Sequence, residues 1–226
     1  MTAYEAFICD CDGVIVDSEV VAERALLAAL SSFASRDDLA VILRESFGQS
    51  TAAVLERIEH RFGITLSESF RATLYNDTEA LIAATSQPIA HVKEALEAID
   101  LPMALVSNSQ QASVLNSIRR AGLQHRFAGK IFTAEQVGAP KPAPDVYLRA
   151  VAAMNVPASR CLALEDSAAG VQSAVAAGVP VIGFVGASHI PPSHADHLLR
   201  LGAIAIVDRM PDLPPLVQSL TLRGAH

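Results

Sequence analysis

The sequence has few cysteines, fewer basic than acidic residues and no long apolar run. Each of these shortages argues against a class of protein. Its apolar stretches fall well short of the ~20 residues that a membrane-spanning helix needs, so we expect no membrane partner. The formal net charge of −7 disfavours nucleic acid as a partner, because a phosphate backbone attracts cations. The N-terminal stretch MTAYEAFICD has no basic segment, so we expect no secretory signal.

The three cysteines, Cys9, Cys11 and Cys161, are too few and too irregularly spaced for a disulfide framework. We expect reduced thiols that pack as small apolar residues in a cytoplasmic protein. The chain has 226 residues, of which 51% are hydrophobic and 18% charged. A chain of that length and composition folds and can bury a large core.

Short apolar runs that alternate with helical patterns predict an α/β fold. The six candidate strands are residues 6–10, 102–107, 130–133, 160–166, 179–184 and 203–207. Amphipathic patterns, for example over residues 110–121 and 145–154, predict helices between them. Because strands that alternate with helices form a parallel sheet covered on both faces, we predict a Rossmann-like core.

Residues 18–85 break this alternation, since they contain four helical patterns and no convincing strand. Within residues 67–84, the spacing of Phe70, Leu74, Leu81 and Ile82 predicts one buried stripe. We therefore predict an all-helical domain, residues 18–85, inserted into a core formed by residues 1–17 and 86–226.

Acidic and polar side chains follow the predicted strands at the point where each strand ends. These residues are Asp10, Asp12, Ser107, Asn108, Lys141, Glu165 and Asp166. Ligands of an open parallel sheet bind outside the carboxyl ends of its strands, where the strand order reverses. With the first strand central and the second and fourth beside it, we expect these side chains to meet at one site.

A cluster of four carboxylates requires a cation. Two like charges about 4 Å apart repel by about 4 kcal/mol at an effective dielectric near 20. Oxygen ligands suit a hard ion, and Mg²⁺ leaves room for a phosphate oxygen. The predicted metal ligands are Asp10, Asp12, Glu165 and Asp166. The Lys141 ammonium, the Ser107 hydroxyl and the N–H groups of Asn108 and Ser109 add donors for an anion.

A site of this composition predicts phosphoryl transfer to a carboxylate. Since no serine–histidine or cysteine–histidine pair is evident here, we expect Asp10 to attack phosphorus and form an aspartyl phosphate. Asp12 would protonate the leaving alcohol and then accept a proton from water. Gly13 allows the backbone to turn tightly beside them.

These motifs make the sequence resemble the haloacid dehalogenase-like superfamily, specifically its phosphatases with a helical cap after the first strand. The matching segments span nearly the whole chain and are Asp10-Cys11-Asp12-Gly13-Val14, Val106-Ser107-Asn108, Lys141-Pro142 and Leu164-Glu165-Asp166-Ser167. The resemblance implies that Ser107 binds the transferring phosphoryl group and that Lys141 holds nucleophile and phosphate together. It also implies that Asp12 offers its backbone carbonyl to the metal.

The resemblance further implies a magnesium-dependent phosphatase that acts on a sugar or polyol phosphate. The alternative is a phosphosugar mutase of the beta-phosphoglucomutase type. Those enzymes carry a cap histidine where this sequence has Ala22, and an arginine after the glycine that corresponds to Gly48, where this sequence has none. Both differences favour hydrolysis. A catalytically idle binding protein on the same fold is the remaining alternative.

Two groups of residues have an open role. Arg44, Gly48 and Gln49 either contact substrate or belong to the ordinary surface of the inserted domain. His194 and His197, near His189, either bind a metal or belong to a solvated loop and helix start beside the site. We expect a monomer whose partner is a small-molecule phosphate ester.

Overall fold

The computed structural model describes residues 3–46, 51–191 and 193–223, and these contain six strands. The strands are β1 (Ala6–Asp10), β2 (Met103–Ser107), β3 (Ile131–Thr133), β4 (Cys161–Glu165), β5 (Val181–Phe184) and β6 (Ala205–Val207). They form one parallel sheet in the order β3-β2-β1-β4-β5-β6. The predicted α/β fold and the central position of the first strand are confirmed.

Apolar residues at nearly every strand position explain why the sheet is covered on both faces. On β1, Phe7 and Cys9 point into one buried apolar cluster, whereas Ala6 and Ile8 point into another on the opposite face. This alternation is the period of two that a strand imposes on its side chains. The cysteines at positions 9, 11 and 161 are free and buried, as predicted.

Helices flank the sheet and also fill the segment between β1 and β2. In chain order they are α1 (Glu19–Leu30), α2 (Arg36–Glu45), α3 (Thr51–Phe62), α4 (Glu68–Thr85), α5 (Val92–Glu97), α6 (Gln111–Arg120), α7 (Gln124–Phe127), α8 (Ala134–Val137), α9 (Asp145–Met154), α10 (Ala168–Ala176), α11 (His194–Arg200) and α12 (Leu213–Arg223). Across the described ranges, no helix combines the length and apolarity that crossing a membrane requires.

Helices α1 to α4, which we call the four-helix unit, have an apolar cluster of their own. Leu30, Leu39 and Ile58 lie in this cluster and are fully buried. Ser35 and Ser67 begin α2 and α4, because each side-chain hydroxyl accepts the N–H three residues further on. The unit therefore packs around an interior that is separate from the two clusters on the sheet.

The two segments that connect the four-helix unit to the sheet lie side by side. Val16 forms isolated bridges with Asp12 and Pro88. The Asp17 N–H donates to the Gln87 carbonyl at 2.9 Å. The division of the chain at 17/18 and 85/86 stays a prediction, and these bonds join the backbone on either side of it.

The buried face of α4 differs from the predicted stripe at Leu81. Leu74 and Ile82 are 5% and 6% exposed, whereas Leu81 is 41% exposed. The buried face follows the i, i+4 spacing from Leu74 through Thr78 to Ile82, and Leu81 lies about 100° around the helix from Ile82. The prediction of a buried Leu81 was wrong because this residue lies at the edge of the buried face, on the side of Leu74 away from Thr78 and Ile82.

This difference between two leucines of one helix predicts unequal effects of truncation. We expect Leu74→Ala to lower the free energy of unfolding by about 2–5 kcal/mol, because it leaves a cavity in the apolar cluster. Leu81→Ala should change it by less than about 1 kcal/mol, because the residue is already 41% exposed and lies outside the apolar cluster. Urea unfolding of both variants measures the difference. Equal losses would contradict the assignment of the buried face.

Candidate active site

The carboxyl ends of the central strands meet at one edge of the sheet and bring the predicted residues together. Asp10 ends β1, Ser107 ends β2 and Glu165 ends β4, with Asp166 directly after it. Lys141 lies on the loop between α8 and α9. Each of these five residues is at most 5% exposed. The sheet topology thus places a buried ammonium group among buried carboxylates.

Lys141 is the centre of this arrangement. Its Nζ lies 2.5 Å from Asp10 Oδ1 and 2.5 Å from Glu165 Oε1. Burial alone would lower the pKa of Lys141, but Asp10 and Glu165 together raise it above its usual value. The ammonium therefore stays charged and connects the ends of β1 and β4.

Asn108 fixes the backbone of the loop that carries Lys141. Its side-chain oxygen accepts the Lys141 N–H at 2.8 Å, and its amide nitrogen donates to the Lys141 carbonyl at 3.3 Å. The Asn108 side chain, which the sequence predicts as a substrate contact, is thus occupied in positioning Lys141. Its backbone N–H remains a candidate donor to an anion.

Tyr147 was missed as a site residue, because the sequence predicts only that it belongs to the amphipathic helix over residues 145–154. It is fully buried on α9, and its hydroxyl donates to Glu165 Oε1 at 2.6 Å. Burial, and then the charge of Glu165, raises the pKa of Tyr147 well above its usual value. A tyrosine in a buried stripe needs a partner for its hydroxyl, and that need was the available signal.

Asp12 lies in a different environment from Asp10. Its Oδ2 accepts hydrogen bonds from the hydroxyls of Ser107 and Ser109, each at 2.9 Å. The Ser109 N–H in turn donates to the Ser107 hydroxyl at 2.9 Å. One aspartate therefore faces an ammonium and the other faces hydroxyls, although only one residue separates them. The sequence analysis predicted no role for the Ser109 side chain.

Three carboxylates fit a divalent cation. Asp10, Glu165 and Asp166 each offer an oxygen within 4.8 Å of the others. Burial and then repulsion by Glu165 raise the pKa of Asp10, and burial and then repulsion by Asp10 raise that of Asp166. Glu165 Oε2 has no hydrogen-bond partner among the described residues. One lysine against three buried carboxylates leaves a need for further positive charge, and oxygen ligands suit Mg²⁺.

Gly13 allows Asp166 to approach the loop that follows β1. Its φ is +75°, and a Cβ built there would lie 1.7 Å from Asp166 Oδ2. Any other residue would therefore meet both backbone strain and a steric clash. The glycine behind the two aspartates serves the contact between β1 and β4 as well as the turn.

Two histidines of the C-terminal stretch pack against Asp166. His194 begins α11 and is buried, with Nε2 2.6 Å from the Asp166 carbonyl oxygen. His189 lies 3.4 Å from Asp17 and 3.9 Å from Asp166. The prediction of a helix start beside the site is correct, but a solvated loop is wrong for His189 and His194. Within the described ranges, the possible metal-binding cluster of carboxylates includes no histidine.

A cavity of about 900 Å³ lies between the sheet edge and the four-helix unit. Asp10, Asp12 and Lys141 line it from the sheet, and Ala22 and Glu79 line it from the helices. The backbone of Arg44 belongs to α2, but its side chain, together with Gly48 and Gln49, lies outside what the structure describes. Those three predicted substrate contacts stay predictions.

Comparison with known proteins agrees with this architecture. The family model for haloacid dehalogenase-like hydrolases matches residues 4–178, so the chain belongs to that family. A 6-phosphogluconate phosphatase of Escherichia coli is 30% identical over 85% of this chain and 87% of its own. Hexitol phosphatase A of the same organism is 32% identical over 79% of this chain and 82% of its own.

A solved structure shows the same fold over nearly the full length. It is a haloacid dehalogenase-like protein of unknown function from Agrobacterium tumefaciens, 35% identical, with a TM-score of 0.81. The match covers 96% of this chain and 99% of that one. The predicted fold class and the resemblance inferred from the motifs are therefore confirmed.

The packing around Glu165 predicts an unusual effect of Gly170→Ala. Alanine in place of a helical glycine ordinarily stabilises by about 0.5–1 kcal/mol. Here the new Cβ would lie 1.8 Å from Glu165 Oε2, and Lys141 and Tyr147 hold that carboxylate in place. We expect a loss of about 1–3 kcal/mol in the free energy of unfolding, measured by urea titration. A gain in stability would show that Glu165 is free to move.

Proposed function

We propose that this chain is a magnesium-dependent phosphatase that hydrolyses a sugar or polyol phosphate through an aspartyl-phosphate intermediate. The broader prediction, a phosphoric monoester hydrolase, is confirmed by the family and by relatives named phosphatases. The observation that carries the finer proposal is the contrast between the two aspartates. Asp10 is held by Lys141, whereas Asp12 is held by Ser107 and Ser109.

Asp10 is suited to attack phosphorus. In the first step, one of its carboxylate oxygens forms a bond to phosphorus as the bond to the leaving oxygen breaks. The Lys141 ammonium, 2.5 Å from Asp10 Oδ1, orients the carboxylate and offsets the negative charge of the incoming phosphoryl group. The second Asp10 oxygen is the one that would then carry the phosphoryl group.

Asp12 is suited to move the proton in both steps. It would give a proton to the leaving alkoxide and later remove one from the water that attacks the aspartyl phosphate. Inorganic phosphate then leaves and the Asp10 carboxylate is regenerated. The Ser109 hydroxyl would hold Asp12 in one orientation through both steps, which lets the same group act as acid and then as base.

The remaining donors would bind the phosphoryl oxygens. Ser107 would turn its hydroxyl proton from Asp12 toward the phosphate, and the N–H of Asn108 would donate beside it. Asp10, Glu165 and Asp166 would hold Mg²⁺, with the Asp12 backbone carbonyl as a further ligand implied by the family resemblance. When bound, Mg²⁺ supplies charge neutralisation and polarises a phosphoryl oxygen.

The four-helix unit would act as a cap over this site. It contacts the core along α4 and α6, where Arg120 donates to the carbonyls of Ala83 and Ala84 at 2.9 and 2.7 Å. A cap of this kind limits the size of the substrate and excludes stray water while the leaving group is bound. Ala22 lines the cavity at the position where the mutases carry a histidine. An alanine has no ring nitrogen to take part in transfer to a second sugar position, which supports hydrolysis.

The nucleophile is tested by Asp10→Asn. We expect the variant to release phosphate from p-nitrophenyl phosphate at least about 10³-fold more slowly than wild type, because an amide does not attack phosphorus. Circular dichroism should be unchanged. The control is Asp100→Asn, on an exposed loop. Mass spectrometry of acid-quenched wild-type enzyme should find a phosphoryl group on the Asp10 peptide. Turnover by Asp10→Asn at the wild-type rate would contradict the mechanism.

The metal is tested by chelation. We expect EDTA to abolish phosphate release and added Mg²⁺ to restore it. Independently of activity, Mg²⁺ should raise the Tm of wild type by binding the native state, and Asp166→Asn should lose that rise. Full activity after chelation, or restoration by zinc alone, would contradict a magnesium site built from these carboxylates.

A further inference from the structure

The wall of the cavity beyond Asp12 is acidic. Five glutamates line it, namely Glu19, Glu23, Glu68, Glu79 and Glu135. Glu79 is the most buried of them, at 8% exposure, although it lies in the middle of α4. Burial, and then the charge of Asp12, raises the pKa of Glu79 to about 7. A glutamate buried beside another carboxylate is costly to keep, which calls for an explanation.

The basic side chains of the described lining already have acidic partners. Lys141 lies between Asp10 and Glu165. Arg71 pairs with Glu59 on the neighbouring helix. His189 lies beside Asp17, and burial lowers its pKa, so it adds little positive charge near neutral pH. Among the described lining residues, no cation is therefore left to receive a second anionic group of a substrate.

Glu79 reaches from the four-helix unit to the residues that hold Asp12. Its carboxylate accepts the Gln110 N–H at 3.4 Å and interacts with the hydroxyls of Ser109 and Ser113. Ser109 also donates to Asp12, so its hydroxyl lies between the two carboxylates. A leaving group protonated by Asp12 would therefore extend past Glu79.

We infer that Glu79 selects phosphate esters whose leaving group is neutral and rich in hydroxyls, and rejects those that carry a second negative charge. Hydroxyl groups can donate to the Glu79 carboxylate, whereas a carboxylate or second phosphate would be buried beside like charge, with no free cation among the described lining residues. This inference rests on the proposed phosphatase function and narrows its substrate class. On this inference, the acidic wall selects the leaving group and takes no part in the reaction at phosphorus.

Two substrates that differ at one carbon test the inference. Glucitol 6-phosphate ends in a hydroxymethyl group at C1, and 6-phosphogluconate ends in a carboxylate at the same position. In an assay well above pH 7, where Glu79 is ionised, we expect wild-type enzyme with Mg²⁺ to show a kcat/KM at least about tenfold higher for glucitol 6-phosphate than for 6-phosphogluconate. About tenfold corresponds to a modest like-charge penalty. Comparable values, or a preference for 6-phosphogluconate, would overturn the inference.

The residue itself is tested by Glu79→Gln, which keeps the shape and removes the charge. We expect the ratio of the two kcat/KM values to fall by about five- to tenfold. The control is Glu56→Gln, an exposed position on α3 outside the cavity, which changes the net charge equally and should leave the ratio unchanged. If Glu79 only joined the helices to the core, Glu79→Gln would lower kcat/KM for both substrates equally. That result would also overturn the inference.

The ratio of the two kcat/KM values in the wild-type enzyme does not depend on how well any variant folds, so it is an independent measurement. If the enzyme released no phosphate from either compound or from p-nitrophenyl phosphate, that result would instead count against the proposed phosphatase function. Release from both compounds at similar efficiency would leave that function standing and would remove only the selectivity assigned to Glu79.

Discussion

The buried ion pairs of Lys141 are the interaction on which the site depends. A single ammonium group contacts Asp10 at the end of β1 and Glu165 at the end of β4, while Tyr147 supports Glu165 from α9. Removing one partner of such a group leaves an uncompensated buried charge, which is far more costly than losing a surface ion pair. The central strands are thereby fixed relative to each other at the point where chemistry would occur.

The loop after β1 converts this fixed frame into two distinct carboxylates. Asp10 completes the strand and meets the ammonium, and the turn at Gly13 leaves Asp12 facing the hydroxyls that follow β2. Environments that differ in charge and hydrogen bonding give chemically equal side chains unequal roles. In the proposed mechanism, the pair therefore divides nucleophilic and proton-transfer work without a histidine or cysteine.

Sequence could predict the sheet and much of the site because both follow from strand periodicity. Asp10, Ser107 and Glu165 end apolar runs, and parallel strands carry such residues to a common edge. Tyr147 and Glu79 were missed because each occupies a helix face whose pattern indicates packing, and their partners come from other parts of the chain. Leu81 was wrongly placed because the buried face of α4 extends from Leu74 through the polar Thr78, which apolar spacing does not reveal, and this leaves Leu81 at its edge.

The adjacent backbone segments around Val16 and Pro88 connect the sheet to the four-helix unit at a single place. The chain leaves β1 and returns toward α5 through neighbouring positions. The four helices between them therefore do not force the end of β1 and the start of α5 apart. For the sheet, the whole excursion is geometrically equivalent to a short hairpin. The length and packing of the helices can therefore vary without any change in the strand register beneath them.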